Sequence, residues 1–289
     1  MSAYSRRLHG MLLTGLGVLV LTPDSLLIRL IEADPLTLLF WRGLLLSLSL
    51  GIFFAVRYNR TVLRQFWTIG IHGLFVVLLF ASGTILFVTS IIMTAVANTL
   101  VIISAAPLLA AIFSHLFLHE DVPLRTWLAT FACMVGIASI FAGSLGRGAP
   151  LGDFCAAGTA CALAGNLVII RHARSVSMVP ALALSGIVVA IAVIPFASPF
   201  AVSTRDLVLL LLLGAVVLPI SIGLITVGPR YLPAPEVALL MLLETVLGPL
   251  WVWLAMKEVP TVETFLGGTL VITTLAIHSA LGLRSLRNK

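Results

Sequence analysis

The stretch WTIGIHGLFVVLLFASGTILFV, residues 67–88, has no aspartate, glutamate, lysine or arginine in 22 positions. A helix needs about 20 such residues to cross the hydrocarbon core of a bilayer. Comparable runs follow one another along the chain, which is 60% hydrophobic and 10% charged, with a mean hydropathy of +1.18. Because a water-soluble core cannot bury so much apolar surface, the sequence predicts an all-α integral membrane protein.

The apolar runs predict ten transmembrane helices joined by short connections. Their predicted bounds are 9–31, 35–56, 67–88, 95–118, 124–143, 151–171, 178–197, 206–227, 234–256 and 262–283.

Basic residues predict the orientation of these helices. With the N-terminus in the cytoplasm, twelve arginine and lysine residues fall on the inner side, against only Arg147, Arg205 and Lys257 outside. Positive residues are enriched on the cytoplasmic side of membrane proteins. We therefore expect a multi-pass protein of a bacterial inner membrane with both termini in the cytoplasm. The net charge of +6 is interpreted as a topology signal, and we expect no nucleic-acid partner.

The chain also divides into two similar halves. The glycine- and proline-containing stretch LGRGAP, residues 145–150, lies at the midpoint, and an offset of 138 residues superposes the later spans on the earlier ones. The same offset pairs HEDVP with KEVP, so that Glu120 coincides with Glu258. Five helices is an odd number, so halves 1–145 and 146–289 are predicted to be inverted repeats, an architecture typical of transporters with a substrate site near the midplane.

Several short motifs resemble the EamA-type members of the drug/metabolite transporter superfamily. They are Asp34-Pro35 followed by Phe40-Trp41-Arg42, Pro107 thirteen residues before Glu120, and the element ending in Glu258. The stretch LLETVLGPLWVWLAMKE, residues 242–258, is similar to the YddG-type bacterial amino-acid exporters of that superfamily.

The resemblance implies ten helices, cytoplasmic termini, a central cavity lined by both halves, and export of amino acids or similar small metabolites. It also implies that an arginine belongs at position 42. The second half has Thr245 where the first has Pro107, so a kink at that place is not expected in both halves.

Ionisable side chains inside hydrocarbon are candidates for substrate binding, because each costs about 2.5–3.5 kcal/mol to insert. Asp24 in the first span shares a helix face with Gly10, Thr14, Gly17 and Leu21. This small and polar stripe is interpreted as facing a cavity rather than lipid. The alternative is that Asp24 lies at the outer membrane boundary in contact with water.

Glu244 lies near the middle of the ninth span, on a face with Val237, Met241, Gly248 and Trp251. An apolar setting favours the neutral acid unless a cation or water is close. Three roles are predicted: binding a substrate ammonium, carrying a coupling proton, or making a helix-to-helix hydrogen bond. Met241 and Trp251 beside it favour a solute with an apolar side chain.

Three more polar residues are predicted to line the cavity. His72 shares a face of the third span with Leu79 and Leu86, although a histidine near a helix start is more often interfacial. Asn98 and Asn166 each have an amide that can bind a zwitterion or, more commonly, another helix.

Four residues are candidates for structural or gating roles. Arg42 is expected to pair or to snorkel rather than to contact substrate. Pro107, Pro219 and Gly223 are expected to bend or flex their helices. Potential metal ligands are grouped only in the boundary trio His119, Glu120 and Asp121, whose adjacent side chains point in different directions. We therefore predict no metal site and no cofactor.

Of three functional classes, transport fits best. An integral membrane enzyme would need a nucleophile with a base, or a set of metal ligands. A structural or signalling protein would be expected to carry an extramembrane domain. The expected function is export of apolar or aromatic amino acids by alternating access, with other metabolites or cationic drugs as alternatives, by a monomer or weak homodimer. No nucleotide-binding motif occurs, so ATP is not expected to drive transport directly. Facilitated diffusion and proton exchange remain as the two alternative mechanisms.

Overall fold

A computed structural model of the chain describes residues 3–58, 62–94, 96–141, 149–256 and 262–287. The all-α class is confirmed. The helices are α1 (Ala3–Leu21), α2 (Asp24–Leu30), α3 (Pro35–Tyr58), α4 (Val62–Thr68), α5 (Gly70–Met93), α6 (Val96–Ile103), α7 (Ala106–Leu118), α8 (Leu124–Phe141), α9 (Pro150–His172), α10 (Val179–Val193), α11 (Thr204–Leu211), α12 (Leu218–Val227), α13 (Ala234–Met256) and α14 (Val262–Arg287). A π-helical turn, Leu212–Val217, joins α11 to α12, and a short 3-10 turn, Gly228–Arg230, follows α12.

Several helical stretches are long and apolar enough to cross a membrane, which confirms the multi-pass class. Within the described residues there are seven: Tyr4–Leu30, Pro35–Arg57, Gly70–Met93, Asn98–Leu118, Pro150–His172, Thr204–Arg230 and Phe265–Arg284. Shorter apolar helices at Leu124–Ile140 and Val179–Val193 fall in two further predicted intervals. The predicted boundary between residues 145 and 146 and the Glu258 element lie outside the described residues.

Four predicted spans are not continuous α-helices, and there the expected uninterrupted helix is wrong. In the first, α1 ends before Pro23 and α2 begins after it, because proline cannot donate the backbone hydrogen bond that would continue the helix. In the third, 67–88, the break lies near its start, at Ile69 between α4 and α5. In the fourth, the helix breaks after Ile103 and restarts with Pro107 in its first turn. In the eighth, the π-helical turn ends at Val217, and α12 follows with Pro219 as its second residue.

Glycines let two pairs of helices cross at very short distances. Where α3 crosses α10, a Cβ added to Gly43 would lie 2.6 Å from the carbonyl oxygen of Gly186. Where α8 crosses α14, a Cβ added to Gly136 would lie 3.0 Å from the carbonyl oxygen of Gly267. Small residues permit this backbone approach in membrane helices.

The helix ends form two opposite faces of the bundle. Arg7 near the start of α1 pairs with Glu236 at the start of α13, and Arg171 at the end of α9 pairs with Glu120 after α7. We call this side, which carries the start of α1 and the end of α14, the terminal face. On the other side, the distal face, Thr22 after α1 bonds the Trp251 ring toward the end of α13.

Candidate functional site

Three ionisable side chains come together in the distal half of the bundle. Arg42 of α3 donates from Nη1 to Asp24 Oδ1 at 2.7 Å and from Nη2 to Asp24 Oδ2 at 3.3 Å. Glu244 of α13 lies within electrostatic range of both residues. We call Asp24, Arg42 and Glu244 the ionic centre.

The ionic centre is largely shielded from the surface. Asp24 is 7% exposed, which rules out the alternative of a solvated carboxylate at the membrane boundary. Glu244 is half-buried. A buried charge needs an opposite charge close by, and here one guanidinium faces two carboxyl groups. The second carboxyl group can therefore bind another cation or a proton.

The break at Pro23 explains the position of Asp24. Because α2 starts at Asp24, the carboxylate lies in the first turn of a helix. The free N–H groups of a first turn and the helix dipole both favour a negative charge.

Trp251 lies next to the break in the first span. Its indole Nε1–H donates to Thr22 Oγ1 at 2.8 Å, and Thr22 Oγ1 donates in turn to the Leu19 carbonyl at 2.8 Å. The Trp251 side chain remains 42% exposed. Met241, predicted on the same face, packs against the main apolar core. The predicted face of α13 is thus shared between the ionic centre and the core.

The small stripe on α1 does not line a cavity, and that prediction is wrong. Thr14 is fully buried, and a Cβ at Gly17 would lie 2.8 Å from the Ser221 carbonyl oxygen of α12. A Cβ at Gly10 would lie 3.0 Å from Cγ of Leu232. Small residues on a membrane helix serve close packing, and here they hold α1 against α12 and the turn after it.

A cavity of about 620 Å³ lies between α5, α7 and α9. His72 lines it, together with Leu79 and Leu86 from the same predicted helix face. The His72 ring faces the ring of His172, with centroids 5.2 Å apart. The sequence reasoning missed His172. The one available signal was a second histidine at a helix end.

The two asparagines lie in separate places. Asn98 Nδ2 donates to Thr94 Oγ1 at 3.2 Å and to Asp153 Oδ1 at 3.3 Å, so it joins α6 to α9 near the distal face. Asn166 is 5% exposed, and its buried Oδ1 has no hydrogen-bond partner among the residues that the structure describes. The predicted binding residues therefore form no single cluster.

A second set of ion pairs, which we call the terminal network, lies at the terminal face. Arg7 Nη2 donates to both Glu236 oxygens at 2.5 Å, and Arg125 Nη2 lies 3.8 Å from Glu236 Oε1. Arg171 Nε donates to Glu120 Oε1 at 2.9 Å. The sequence reasoning missed Glu236, although an acidic residue in the first turn of an apolar span was an available signal.

The gating candidates differ in their surroundings. Pro107 is buried in the first turn of α7, and Pro219 lies in the first turn of α12. A Cβ at Gly223 would meet nothing within 4 Å, so Gly223 is not required for close packing. Within the described ranges, no three histidine, cysteine or carboxylate residues are grouped to hold a metal ion.

Comparisons with known proteins give the family. One solved crystal structure has a TM-score of 0.80 at 20% sequence identity and covers 98% of each chain, which shows a shared fold. No curated protein matches the sequence. The profile of the EamA-like transporter family matches residues 8–142 and 150–280. The chain therefore belongs to the EamA-like transporter family, within the drug/metabolite transporter superfamily.

Proposed function

We propose that the chain is an exporter of amino acids with apolar or aromatic side chains, or of similar small metabolites. It works by alternating access between two inverted halves, 1–145 and 146–289, each with five membrane spans. The protein lies in a bacterial inner membrane with both termini on the cytoplasmic side. It is a monomer or weak homodimer.

Helix packing supports the inverted halves. The second and seventh predicted spans cross at Gly43 and Gly186, and the fifth and tenth cross at Gly136 and Gly267. The third span packs on the sixth, and the eighth packs on the first. Exchanging the two halves maps this set of pairs onto itself, as a two-fold axis in the membrane plane requires.

The charges support the orientation. Three arginines of the terminal network, Arg7, Arg125 and Arg171, lie at the terminal face. An excess of positive residues marks the cytoplasmic side.

The ionic centre is the single observation that carries the choice of substrate. A zwitterion presents one carboxylate and one ammonium group, and the centre holds one guanidinium and two carboxyl groups. Arg42 supplies two N–H donors for a carboxylate, while Glu244 supplies the acceptor for an ammonium. The half-exposed Trp251 ring nearby offers an apolar surface for the side chain.

The charged groups of the substrate compete with the groups of the ionic centre for the same partners. An arriving ammonium replaces part of the charge that Arg42 provides to Asp24, and an arriving carboxylate replaces Asp24 on Arg42. This exchange of partners couples binding to a rearrangement at the distal end, as alternating access requires.

Counterflow of a labelled amino-acid panel in proteoliposomes tests the proposal, with and without an imposed pH gradient. We expect saturable flux of apolar and aromatic amino acids that is lost in Glu244→Gln. The matched control is Glu32→Gln, because Glu32 pairs with Arg205 at the exposed distal surface. A response to the gradient would assign proton exchange, and no response would assign facilitated diffusion.

Export of cationic drugs is the second candidate, because the spare carboxyl group at Glu244 also suits a ligand with a positive charge and no carboxylate. The same panel separates the two. If only cationic amphiphiles move and no amino acid does, the amino-acid proposal fails. If neither class moves, both candidates fail.

A further inference from the structure

The 620 Å³ cavity between α5, α7 and α9 is separate from the ionic centre, and none of Asp24, Arg42 or Glu244 lines it. It runs along α9 from His172 to Gly158, about 21 Å at the rise of an α-helix. Its volume falls within the usual range for small-molecule sites, roughly 300–1,000 Å³. This space is large enough for a ligand of its own.

The cavity walls are almost entirely apolar. Three phenylalanines contribute, Phe75 from α5 and Phe113 and Phe117 from α7, and Phe75 and Phe117 are half exposed or more. Aromatic and aliphatic side chains of this kind bind an extended apolar body without selecting its shape closely.

The polar groups lie mainly at one end. His72 and His172 contact each other where the cavity approaches the terminal face, and the described lining contains no aspartate, glutamate, lysine or arginine. Each imidazole has at least one N–H donor in any protonation state. An ammonium group would find no anion in this lining, whereas a carboxylate would find two donors.

We propose that this cavity binds an amphipathic monocarboxylate, with its apolar chain along the phenylalanines and its carboxylate at His72 and His172. The ligand is a free long-chain acid rather than a bilayer phospholipid, because the lining offers no arginine or lysine for a phosphate. This site goes beyond the proposed function, and its occupation does not require transport through the ionic centre.

Cys161 gives a direct probe of the unmodified protein. It lines the cavity and is the one exposed cysteine of the three, since Cys133 and Cys155 are buried. The experiment measures the rate at which a membrane-permeant maleimide alkylates Cys161, located by peptide mass spectrometry, on the full-length protein in detergent. The protecting ligands are dodecanoate, dodecylamine and dodecanol at mildly alkaline pH.

We expect dodecanoate to protect Cys161 at about tenfold lower concentration than the amine or the alcohol, as one charge-assisted hydrogen bond contributes. The His72→Ala/His172→Ala double variant should lose that preference, whereas His115→Ala, elsewhere on α7, should keep it. Equal protection by all three ligands would overturn the proposal and leave an apolar groove for lipid.

A second variant guards against misfolding of the histidine double variant. Gly165 lines the cavity, and a Cβ there would meet only Leu79 at 3.4 Å, so Gly165→Leu fills the space with little strain. We expect Gly165→Leu to abolish binding of tritiated dodecanoate, while Gly51→Leu, at an open site on α3, leaves it unchanged. Unchanged binding in Gly165→Leu would overturn the proposal. So would a tightly held phospholipid that dodecanoate does not displace from wild-type protein in native mass spectrometry.

Discussion

The terminal network and the ionic centre use the same chemistry for different connections. At the terminal face, Arg7 with Glu236 and Arg171 with Glu120 each join a helix of the first proposed half to one of the second. In the ionic centre, the pair between Asp24 and Arg42 lies within the first half. Separation of the halves at the terminal face breaks ion pairs with largely buried side chains, whereas separation at the distal face breaks hydrogen bonds, some of them to Asp153, and the exposed ion pair between Glu32 and Arg205.

This difference indicates which face of the bundle needs more free energy to open. The neutral distal links between halves include the bond from Trp251 to Thr22 and the bond from Trp41 Nε1 to the Pro199 carbonyl at 3.1 Å. A neutral hydrogen bond contributes about 0.5–1.5 kcal/mol, while a hydrogen bond to a charged group contributes about 1.5–3 kcal/mol. The terminal face is therefore expected to be the more firmly closed side.

Glu236→Ala should have the largest effect. Glu236 is 6% exposed and faces both Arg7 and Arg125, so its removal leaves buried positive charge uncompensated. We expect a loss of about 3–5 kcal/mol, measured by thermal unfolding of the detergent-purified protein. Glu32→Ala at the exposed pair with Arg205 is the control and should cost less than about 1 kcal/mol. Equal losses would contradict the comparison.

Asp24→Asn should destabilise less and affect transport more. Arg42 loses its partner at 2.7 Å, but Glu244 remains within electrostatic range to serve as a substitute. We expect a loss of about 1–3 kcal/mol and no measurable counterflow. The double variant Asp24→Asn/Glu244→Gln should lose more stability than the sum of the single variants, because no carboxylate then faces Arg42. Simple additivity would show that Glu244 does not substitute.

Trp251→Phe sharpens the comparison at the distal face. The variant keeps an aromatic ring and removes the donor to Thr22 Oγ1 at 2.8 Å. We expect thermal unfolding to show a loss of about 1 kcal/mol, the contribution of one neutral hydrogen bond. Thr22→Val should give a similar loss. A loss as large as that of Glu236→Ala would mean that the distal face is closed as firmly as the terminal face.

Asp34 should give the smallest effect and a pH signature. Its Oδ1 accepts hydrogen bonds from the backbone N–H groups of Leu36 and Thr37, both at 3.0 Å, at the start of α3. Burial alone would raise the pKa of Asp34, but the hydrogen bonds from Thr37 and Leu36 prevail and lower it from 3.8. Asp34→Ala should cost about 0.5–1 kcal/mol as the loss of a helix cap.

The pH dependence follows from the direction of that shift. Because the folded-state pKa of Asp34 is lowered, its contribution to stability is fully present above about pH 3.8 and is lost as the pH falls below that value. Asp34→Asn keeps an oxygen acceptor and should remove this pH dependence from the unfolding curve. Retention of the same dependence in Asp34→Asn would assign it to another group.

The fold class was predictable because a backbone inside hydrocarbon must form its hydrogen bonds within the protein. Apolar runs of about 20 residues must be helices, so the all-α, multi-pass class can be read from the sequence. Breaks inside the runs were not predictable from hydropathy. Pro23 and Pro107 marked two of them, but proline also occurs in helices that merely bend.

Individual site residues were harder to predict than helices, because periodicity gives a helix face and not the neighbour of that face. The stripe through Thr14 looked polar enough for a cavity, yet α12 covers it. Asp24 and Glu244 became candidates because carboxyl groups are rare in membrane spans. Their approach to Arg42 depends on packing between helices far apart in sequence, which a single sequence does not reveal.

The π-helical turn at Leu212–Val217 matters for comparing the two proposed halves as repeats. Such a turn takes up one more residue than the α-helical turn it replaces, and one residue corresponds to about 100° of rotation. At a fixed offset of 138 residues, positions on one side of the turn are therefore matched to the wrong face of α5. An alignment that treats the halves as descendants of one duplicated gene needs a one-residue gap within 212–217. Without that gap it scores related positions as unrelated.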